Sequence, residues 1–287
     1  MPTPPHIRRA QSEAKVLIAG LIRNGEKTIK SDIARLMTAA AGFQEVHVLV
    51  IESDSTDGTL ATLAAMVRQD SRIQFRSLGR LSETLPARSA RMAHCRNAYL
   101  GEVRDNPAYA DVDYVIVADL DGMNNLLNAE AIGSCFEIHE AWGALTANQD
   151  GHYYDIWALR HPDWCPNDCL QQLAMLEPIF GHETARDIAV YSRQVRIPLH
   201  SPPIAVTSAF GGLAIYTRQA FLSGGYRSHD NLGNETCEHV PHHQHMVDAG
   251  HRIFINPRLI NTGLTIHTRN KRTSKVIRNA IKAHLKR

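Results

Sequence analysis

The feature that most constrains the fold is an alternation of short apolar segments with amphipathic segments over the first 120 residues. The apolar segments, rich in β-branched residues, predict strands at 15–21 (KVLIAGL), 46–51 (VHVLVI), 73–76 and 114–118 (YVIVA). Helical spacing of apolar side chains predicts helices at 28–41, 59–69 and 87–103. Apolar strands separated by amphipathic helices predict βαβ units, in which a parallel sheet is covered on both faces.

The second half of the chain is less regular. Strands are predicted at 144–147, 205–207, 212–216 and 252–255. Residues 152–169, rich in Trp, Tyr, Pro and Asp, predict a structured loop. There is no repeat and no low-complexity linker, so 287 residues are most simply one α/β domain. We expect a Rossmann-like, mostly parallel central sheet flanked by helices, with a loop-rich C-terminal half.

Charge is unevenly distributed along the chain. The formal net charge is +2, but residues 269–287 carry eight Lys/Arg and no Asp/Glu, which leaves the rest at −6. An acidic body without a recognised binding module argues against a nucleic-acid partner. The basic tail has the pattern of an amphipathic helix, for which peripheral contact with an anionic membrane and packing on its own domain both stay open.

The cysteines and the N-terminal segment favour a cytoplasmic location. Five cysteines are an odd number, the first 15 residues lack the apolar core of a signal peptide, and no segment approaches 18 consecutive apolar residues. A reducing compartment is therefore expected, with membrane association through the tail left open. Cys165 and Cys169 are the closest pair, but their spacing is not CxxC and does not favour zinc.

Carboxylates follow two of the predicted strands directly. Glu52 and Asp54 come after the second strand, and Asp119 and Asp121 end the fourth, just before Gly122. Ligands of open α/β sheets bind at the carboxyl ends of the strands. Two acids at i and i+2 can converge on one Mg²⁺ or Mn²⁺ ion together with substrate phosphates.

Several motifs resemble those of GT-A fold nucleotide-sugar glycosyltransferases. IESDSTDGT at 51–59 resembles the D-x-x-S-x-D-G-T segment of family 2 enzymes, and VIVADLDG at 115–122 resembles their D-x-D strand end. SAFGGLAIY at 208–216 is similar to their glycine loop, and TCEHV at 236–240 stands where they carry an x-E-D motif. RMAHCRN at 91–97 and YYDIW at 153–157 are also similar to the cryptococcal capsule-associated mannosyltransferase group.

The resemblance covers nearly all of the chain. It implies an N-terminal extension at 1–14, a GT-A domain at 15–268 and the basic tail at 269–287. Within that domain, 15–125 would bind the nucleotide and 126–268 the acceptor. The implied activity is metal-dependent transfer of a sugar from a nucleoside-diphosphate donor to a carbohydrate or lipid-linked glycan, as in polysaccharide biosynthesis.

The resemblance also implies roles for individual residues. Asp119, Asp121 and His267 would hold Mn²⁺ or Mg²⁺, which acts on the leaving diphosphate as a Lewis acid. The donor would be bound by Ala19, Leu21, Arg23, Glu52, Asp54, Arg91, Arg96, Asp119, Gly211 and Gly212. The candidates for catalysis are Glu238 as general base, Glu235 as its alternative, and Asp155. Asp155 belongs to the Trp- and Tyr-rich loop predicted at 152–169, which is called the aromatic loop below.

The chain departs from the x-E-D pattern, because Glu238 is followed by His239. His239 and His243 have the i, i+4 spacing of a zinc pair, but the intervening Pro241 disfavours an uninterrupted helix there. Two other functions remain open from the sequence. A sugar-phosphate nucleotidyltransferase shares the sheet and the paired acids, and a glycan-binding relative would keep the fold without catalysis.

Overall fold

The computed structural model describes residues 9–263. They form one eight-stranded sheet with helices on both sides. The strands are β1 (Lys15–Ile22), β2 (Glu45–Glu52), β3 (Ile73–Ser77), β4 (Tyr114–Asp119), β5 (Ala144–Gln149), β6 (Ile204–Val206), β7 (Leu213–Thr217) and β8 (Ile253–Thr262). The helices are α1 (Ile29–Ala39), α2 (Thr59–Gln69), α3 (Arg88–Asp105), α4 (Ala129–Gly133), α5 (Cys169–Phe180), α6 (His182–Ala189), α7 (Arg218–Phe221) and α8 (His239–Asp248). The α/β class predicted from the sequence is confirmed.

The sheet has the strand order β3-β2-β1-β4-β7-β5-β8-β6. The first four strands pair in parallel, as their βαβ pattern predicts. β7 is antiparallel to both β4 and β5, and β6 is antiparallel to β8, so the second half of the sheet is mixed. The carboxyl ends of β1, β2 and β4 therefore lie at one edge, beside the amino end of β7.

Alternate residues of the strands fill two apolar layers. Leu17 and Val115 belong to the layer that α3 covers, whereas Val16 and Ile116 belong to the layer under α1 and α2. This is the alternation that a sheet buried on both faces requires. The two layers fix the backbone at the strand ends, where the polar candidates lie.

One expectation about the second half was wrong, and one feature of it was not predicted. Pro241 does not exclude a helix, because it is the third residue of α8, within the first turn, where the backbone N–H has no intrahelical partner. The sequence also gave no prediction of α5 and α6, the helical hairpin that follows the aromatic loop. No helix in residues 9–263 is both long and apolar enough to cross a bilayer. The basic segment 269–287 lies outside the described residues.

Candidate active site

A cavity of about 390 Å³ opens at the carboxyl ends of the parallel strands. β1, β2 and β4 supply part of its wall through residues at or just beyond their last positions, α3 supplies another part, and the aromatic loop and the start of α8 close it. The candidates that line it are Leu21, Arg23, Asp54, Arg91, Arg96, Asp119, Asp121, Asp155 and Glu238. Segments as distant in sequence as residues 21 and 238 thus meet at one site.

Besides Asp54, four carboxylates line this cavity: Asp119, Asp121, Asp155 and Glu238. Burial raises the pKa of Asp119 to about 7, with the charges of the other three adding to the rise and Arg96 opposing it. Burial also raises the pKa of Asp155, although two backbone N–H groups stabilise its charge. Such a concentration of negative charge favours binding of a cation.

Arg96 is the buried cation among these acids, with 2% of its surface exposed. Its Nε donates to Glu238 Oε1 at 2.7 Å, its Nη1 donates to Tyr99 Oη at 2.9 Å, and its Nη2 lies 3.6 Å from Asp119 Oδ1. The neighbouring negative charges keep its pKa well above the ordinary value against the effect of burial. Arg96 is therefore committed to the protein's own carboxylates and holds Glu238 in place.

Three further arginines line the cavity with more exposed side chains. Arg23 follows β1, and Arg88 and Arg91 lie in the first turn of α3. Arg91 Nη1 donates to the carbonyl oxygens of Leu85 and Pro86, both at 2.7 Å, which fixes its guanidinium group. Guanidinium groups suit phosphate oxygens, so these side chains offer a place for a diphosphate.

Asp54 is held in an unusual backbone conformation, with a φ of 60°. Its Oδ1 accepts hydrogen bonds from the backbone N–H and the hydroxyl group of Ser82, at 2.9 and 2.6 Å. These bonds hold its pKa below the ordinary value although burial acts in the opposite direction. The left-handed conformation turns the chain so that Asp54 faces the cavity just beyond β2.

Gly211 and Gly212 support the site through the backbone. Gly211 N donates to Asp155 Oδ2 at 2.9 Å, and Gly212 O accepts from the backbone N–H of Asp119 at 2.9 Å. Both have positive φ values, 71° and 85°. A Cβ atom on Gly212 would lie 2.9 Å from the hydroxyl oxygen of Tyr154, so glycine is required there for two reasons.

Other candidates do not line the cavity. Ala19 is buried in β1, and Glu52 is buried with its carboxylate accepting from Ser55 N and Ser77 Oγ, so Glu52 joins two strand-end loops. Glu235 is exposed and outside the cavity, in contrast to Glu238. His267 lies outside the described residues.

The histidines of α8 do not form the zinc site that their spacing left open. His243 Nδ1 pairs with Ser208 Oγ and its Nε2 pairs with Tyr216 Oη, both at 2.9 Å, so both nitrogens are used within the core. Burial lowers the pKa of His242 to about 3. Within residues 9–263 no three His, Cys, Asp or Glu side chains are placed to hold a metal ion.

A divalent metal nevertheless fits this site. Asp119 and Asp121 provide the oxygen ligands that Mg²⁺ and Mn²⁺ prefer, and such ions are commonly held by one or two carboxylates with phosphates completing the shell. Burial and the neighbouring carboxylates raise the pKa of Asp119, and Arg96 opposes that rise only in part. A bound cation would oppose that rise further.

Several residues of the cavity wall were not among the candidates predicted from the sequence. Arg88 lies in α3, Phe210 lies in the loop before β7, and Cys237 lies just before α8. Only the tertiary fold brings these three distant segments together. His239 was considered for zinc, whereas it lies against the cavity and stacks on Phe210 with ring centroids 3.9 Å apart. The sequence signal that could have identified His239 as a site residue is that it stands where the x-E-D motif has Asp.

Comparisons with known proteins identify structural neighbours alone. No protein-family model and no curated protein matches the chain. The solved structures similar to it include a mannosyltransferase from Pyrobaculum calidifontis in complex with GDP-Man and Mn²⁺ (14% identity, TM-score 0.49, covering 91% of this chain and 60% of that one). Glucosyl-3-phosphoglycerate synthase from Mycobacterium tuberculosis (14%, 0.41, 87% and 69%) and S. aureus TarS 1–349 (15%, 0.44, 84% and 57%) are also similar. The chain thus spans about six-tenths of the first neighbour's length.

Proposed function

We propose that this protein is a metal-dependent glycosyltransferase of the GT-A fold, which moves a sugar from a nucleoside diphosphate to a carbohydrate or lipid-linked glycan. The observation that supports this most is the composition of one cavity at the strand ends. It combines exposed arginines for a diphosphate with a surplus of carboxylates for a divalent cation. The motifs resembling glycosyltransferases supply several of its lining residues. A hexosyl donor and a role in cytoplasmic polysaccharide synthesis are part of the proposal.

The donor would lie across the carboxyl ends of β1, β2 and β4. Leu21, Arg23 and Asp54 would surround the nucleoside, and Arg88 with Arg91 would bind the diphosphate oxygens. Asp119 and Asp121 would hold Mn²⁺ or Mg²⁺, with His267 as a third ligand proposed from the sequence. When bound, the metal would supply Lewis-acid stabilisation of the leaving diphosphate.

Glu238 is the candidate to accept a proton from the attacking acceptor hydroxyl. The hydroxyl oxygen would form the new bond to the anomeric carbon as the bond from that carbon to the diphosphate oxygen breaks. Arg96 binds Oε1 of Glu238, whereas the polar neighbour of Oε2 is the weakly donating thiol of Cys237, at 3.8 Å. Asp155 is less suited, because its two oxygens accept from Gly211 N and Ala158 N at 2.9 and 3.4 Å.

A panel of UDP-, GDP-, CMP- and dTDP-sugars, each with and without Mn²⁺, tests the function by thermal shift and by release of free sugar. The proposal predicts stabilisation by one nucleotide class that requires Mn²⁺, since a ligand bound to the native state raises its apparent stability. It also predicts slow hydrolysis of that donor. Binding without turnover would favour a glycan-binding relative, and formation of a sugar nucleotide from a sugar phosphate would favour a nucleotidyltransferase.

A further inference from the structure

One buried histidine in the cavity wall has ring nitrogens that make no hydrogen bond to any residue of 9–263. His239 is 2% exposed, and neither Nδ1 nor Nε2 makes a hydrogen bond within the described part of the chain. Leaving a buried polar group unpaired costs about 1–3 kcal/mol. The two other buried histidines of α8 each pair at least one nitrogen, His242 with Gly224 O and His243 with two hydroxyl groups.

The ring of His239 is fixed by its aromatic neighbours. It stacks on Phe210 at 3.9 Å between centroids, and the Tyr226 ring meets it edge-on at 5.7 Å. Nε2 lies 3.9 Å from Glu238 Oε1, beyond hydrogen-bond distance, and that oxygen accepts from Arg96. His239 lines the cavity, so its ring nitrogens are the polar atoms that it offers to a ligand there. Trp157, another residue of the cavity wall, likewise has a buried indole Nε1 with no hydrogen-bond partner among the described residues.

The charge state of His239 determines which kind of ligand group it can bind. Burial, the positive charge of Arg96 and the two neighbouring histidines lower its pKa well below the ordinary value, so the imidazole is neutral. A neutral imidazole has one donor and one acceptor, as a hydroxyl group does, whereas a phosphate oxygen can only accept. His239 is thus matched to an alcohol rather than to an anion.

We propose that His239 binds a hydroxyl group of the transferred sugar and contributes to the selection of that sugar. This inference rests on the proposed function. The ligand of His239 is taken to be the donor sugar and not the acceptor. His239 lines the same cavity as Arg88 and Asp121, where the diphosphate attached to that sugar would lie. Trp157 would donate a further hydrogen bond to the same sugar.

The test compares wild-type protein with His239→Phe, which keeps a stacking ring and removes both nitrogens. Calorimetry measures binding of UDP against UDP-glucose and of GDP against GDP-mannose, all with Mn²⁺. The variant is expected to bind the free diphosphates like wild type and to bind the sugar nucleotide about tenfold more weakly. A tenfold change corresponds to about 1.4 kcal/mol, the range of a lost hydrogen bond. His239→Gln, which offers a donor and an acceptor, should recover part of the loss.

Thermal unfolding of the ligand-free protein separates binding from a structural role. Removing unpaired buried nitrogens should leave the melting temperature of His239→Phe equal to or above that of wild type. The matched control is His242→Phe, which loses the bond to Gly224 O, lies outside the cavity wall and should bind every ligand as wild type does.

Two results would overturn the inference. One is an unchanged affinity of His239→Phe for the sugar nucleotide. The other is a lower melting temperature with equal weakening of diphosphate and sugar nucleotide, since that pattern indicates a structural residue. Wild-type protein that binds none of the UDP-, GDP-, CMP- and dTDP-sugars of the donor panel would instead contradict the proposed function and remove the basis of the inference.

Discussion

Replacement of Arg96 by methionine should destabilise the protein strongly, because Arg96 is the counter-ion of a buried carboxylate. The Arg96 and Glu238 side chains are 3% and 5% exposed, and their atoms Nε and Oε1 are 2.7 Å apart. Removal of one partner of such a pair costs about 3–5 kcal/mol, since an uncompensated charge stays buried. Methionine retains much of the side-chain volume, so the loss reflects charge and hydrogen bonding more than a cavity.

The assay is urea unfolding followed by circular dichroism at pH 7.5, on wild type, Arg96→Met, Glu238→Gln and the double variant. In the double variant no charge remains at either position, so it should be more stable than Arg96→Met alone. The coupling free energy from this cycle isolates the pair. A loss below about 1 kcal/mol for Arg96→Met, or strict additivity in the cycle, would refute the counter-ion role.

Three further predictions concern the backbone, pH and catalysis. Gly212→Ala should lower activity and should be at least about 1 kcal/mol more destabilising than Gly250→Ala. Both glycines have positive φ, but only at Gly212 would the added methyl group meet the Tyr154 hydroxyl group. Equal losses of stability in urea unfolding would contradict this. From pH 7.5 to 5.5, wild type should lose about 1.4 kcal/mol of unfolding free energy relative to His242→Phe. The pKa of His242 in the folded protein is about 3, so only the unfolded chain takes up that proton below pH 6.5. A pH-independent difference would show that His242 is charged in the folded state. Glu238→Gln should abolish sugar transfer while donor binding measured by calorimetry is retained, and an active variant would assign the base elsewhere.

The parallel half of the sheet was predictable because β1, β2 and β4 are buried on both faces and leave a continuous apolar pattern, whereas β3 is a short, partly exposed edge strand. Those strands were predicted to within about two residues at each end, and Asp119 and Asp121 followed directly from the end of β4. The aromatic loop was also expected where it lies. Local pattern and tertiary burial agree in these segments, which is why one sequence was sufficient.

Other features depended on contacts between distant segments. α5 was missed because its exposed surface carries Met175, Ile179 and Phe180, so its pattern does not distinguish a buried from an exposed face. Arg96 was assigned to phosphate on residue type, whereas the fold places Glu238, just before α8, within 2.7 Å of its Nε. Glu52 was assigned to the ligand on position, but Ser55 and Ser77 occupy its oxygens.

The central claim is tested most directly by comparing wild type with Asp121→Asn in a calorimetric titration. The ligand is the nucleoside diphosphate identified in the donor screen, titrated with and without Mn²⁺. Asp105→Asn, at the exposed end of α3 and outside the cavity, is the matched control. We predict Mn²⁺-dependent binding by wild type and Asp105→Asn, and loss of the Mn²⁺ dependence in Asp121→Asn. Equal Mn²⁺-dependent binding by all three proteins would contradict the claim that the carboxylates at the end of β4 hold the metal and the diphosphate.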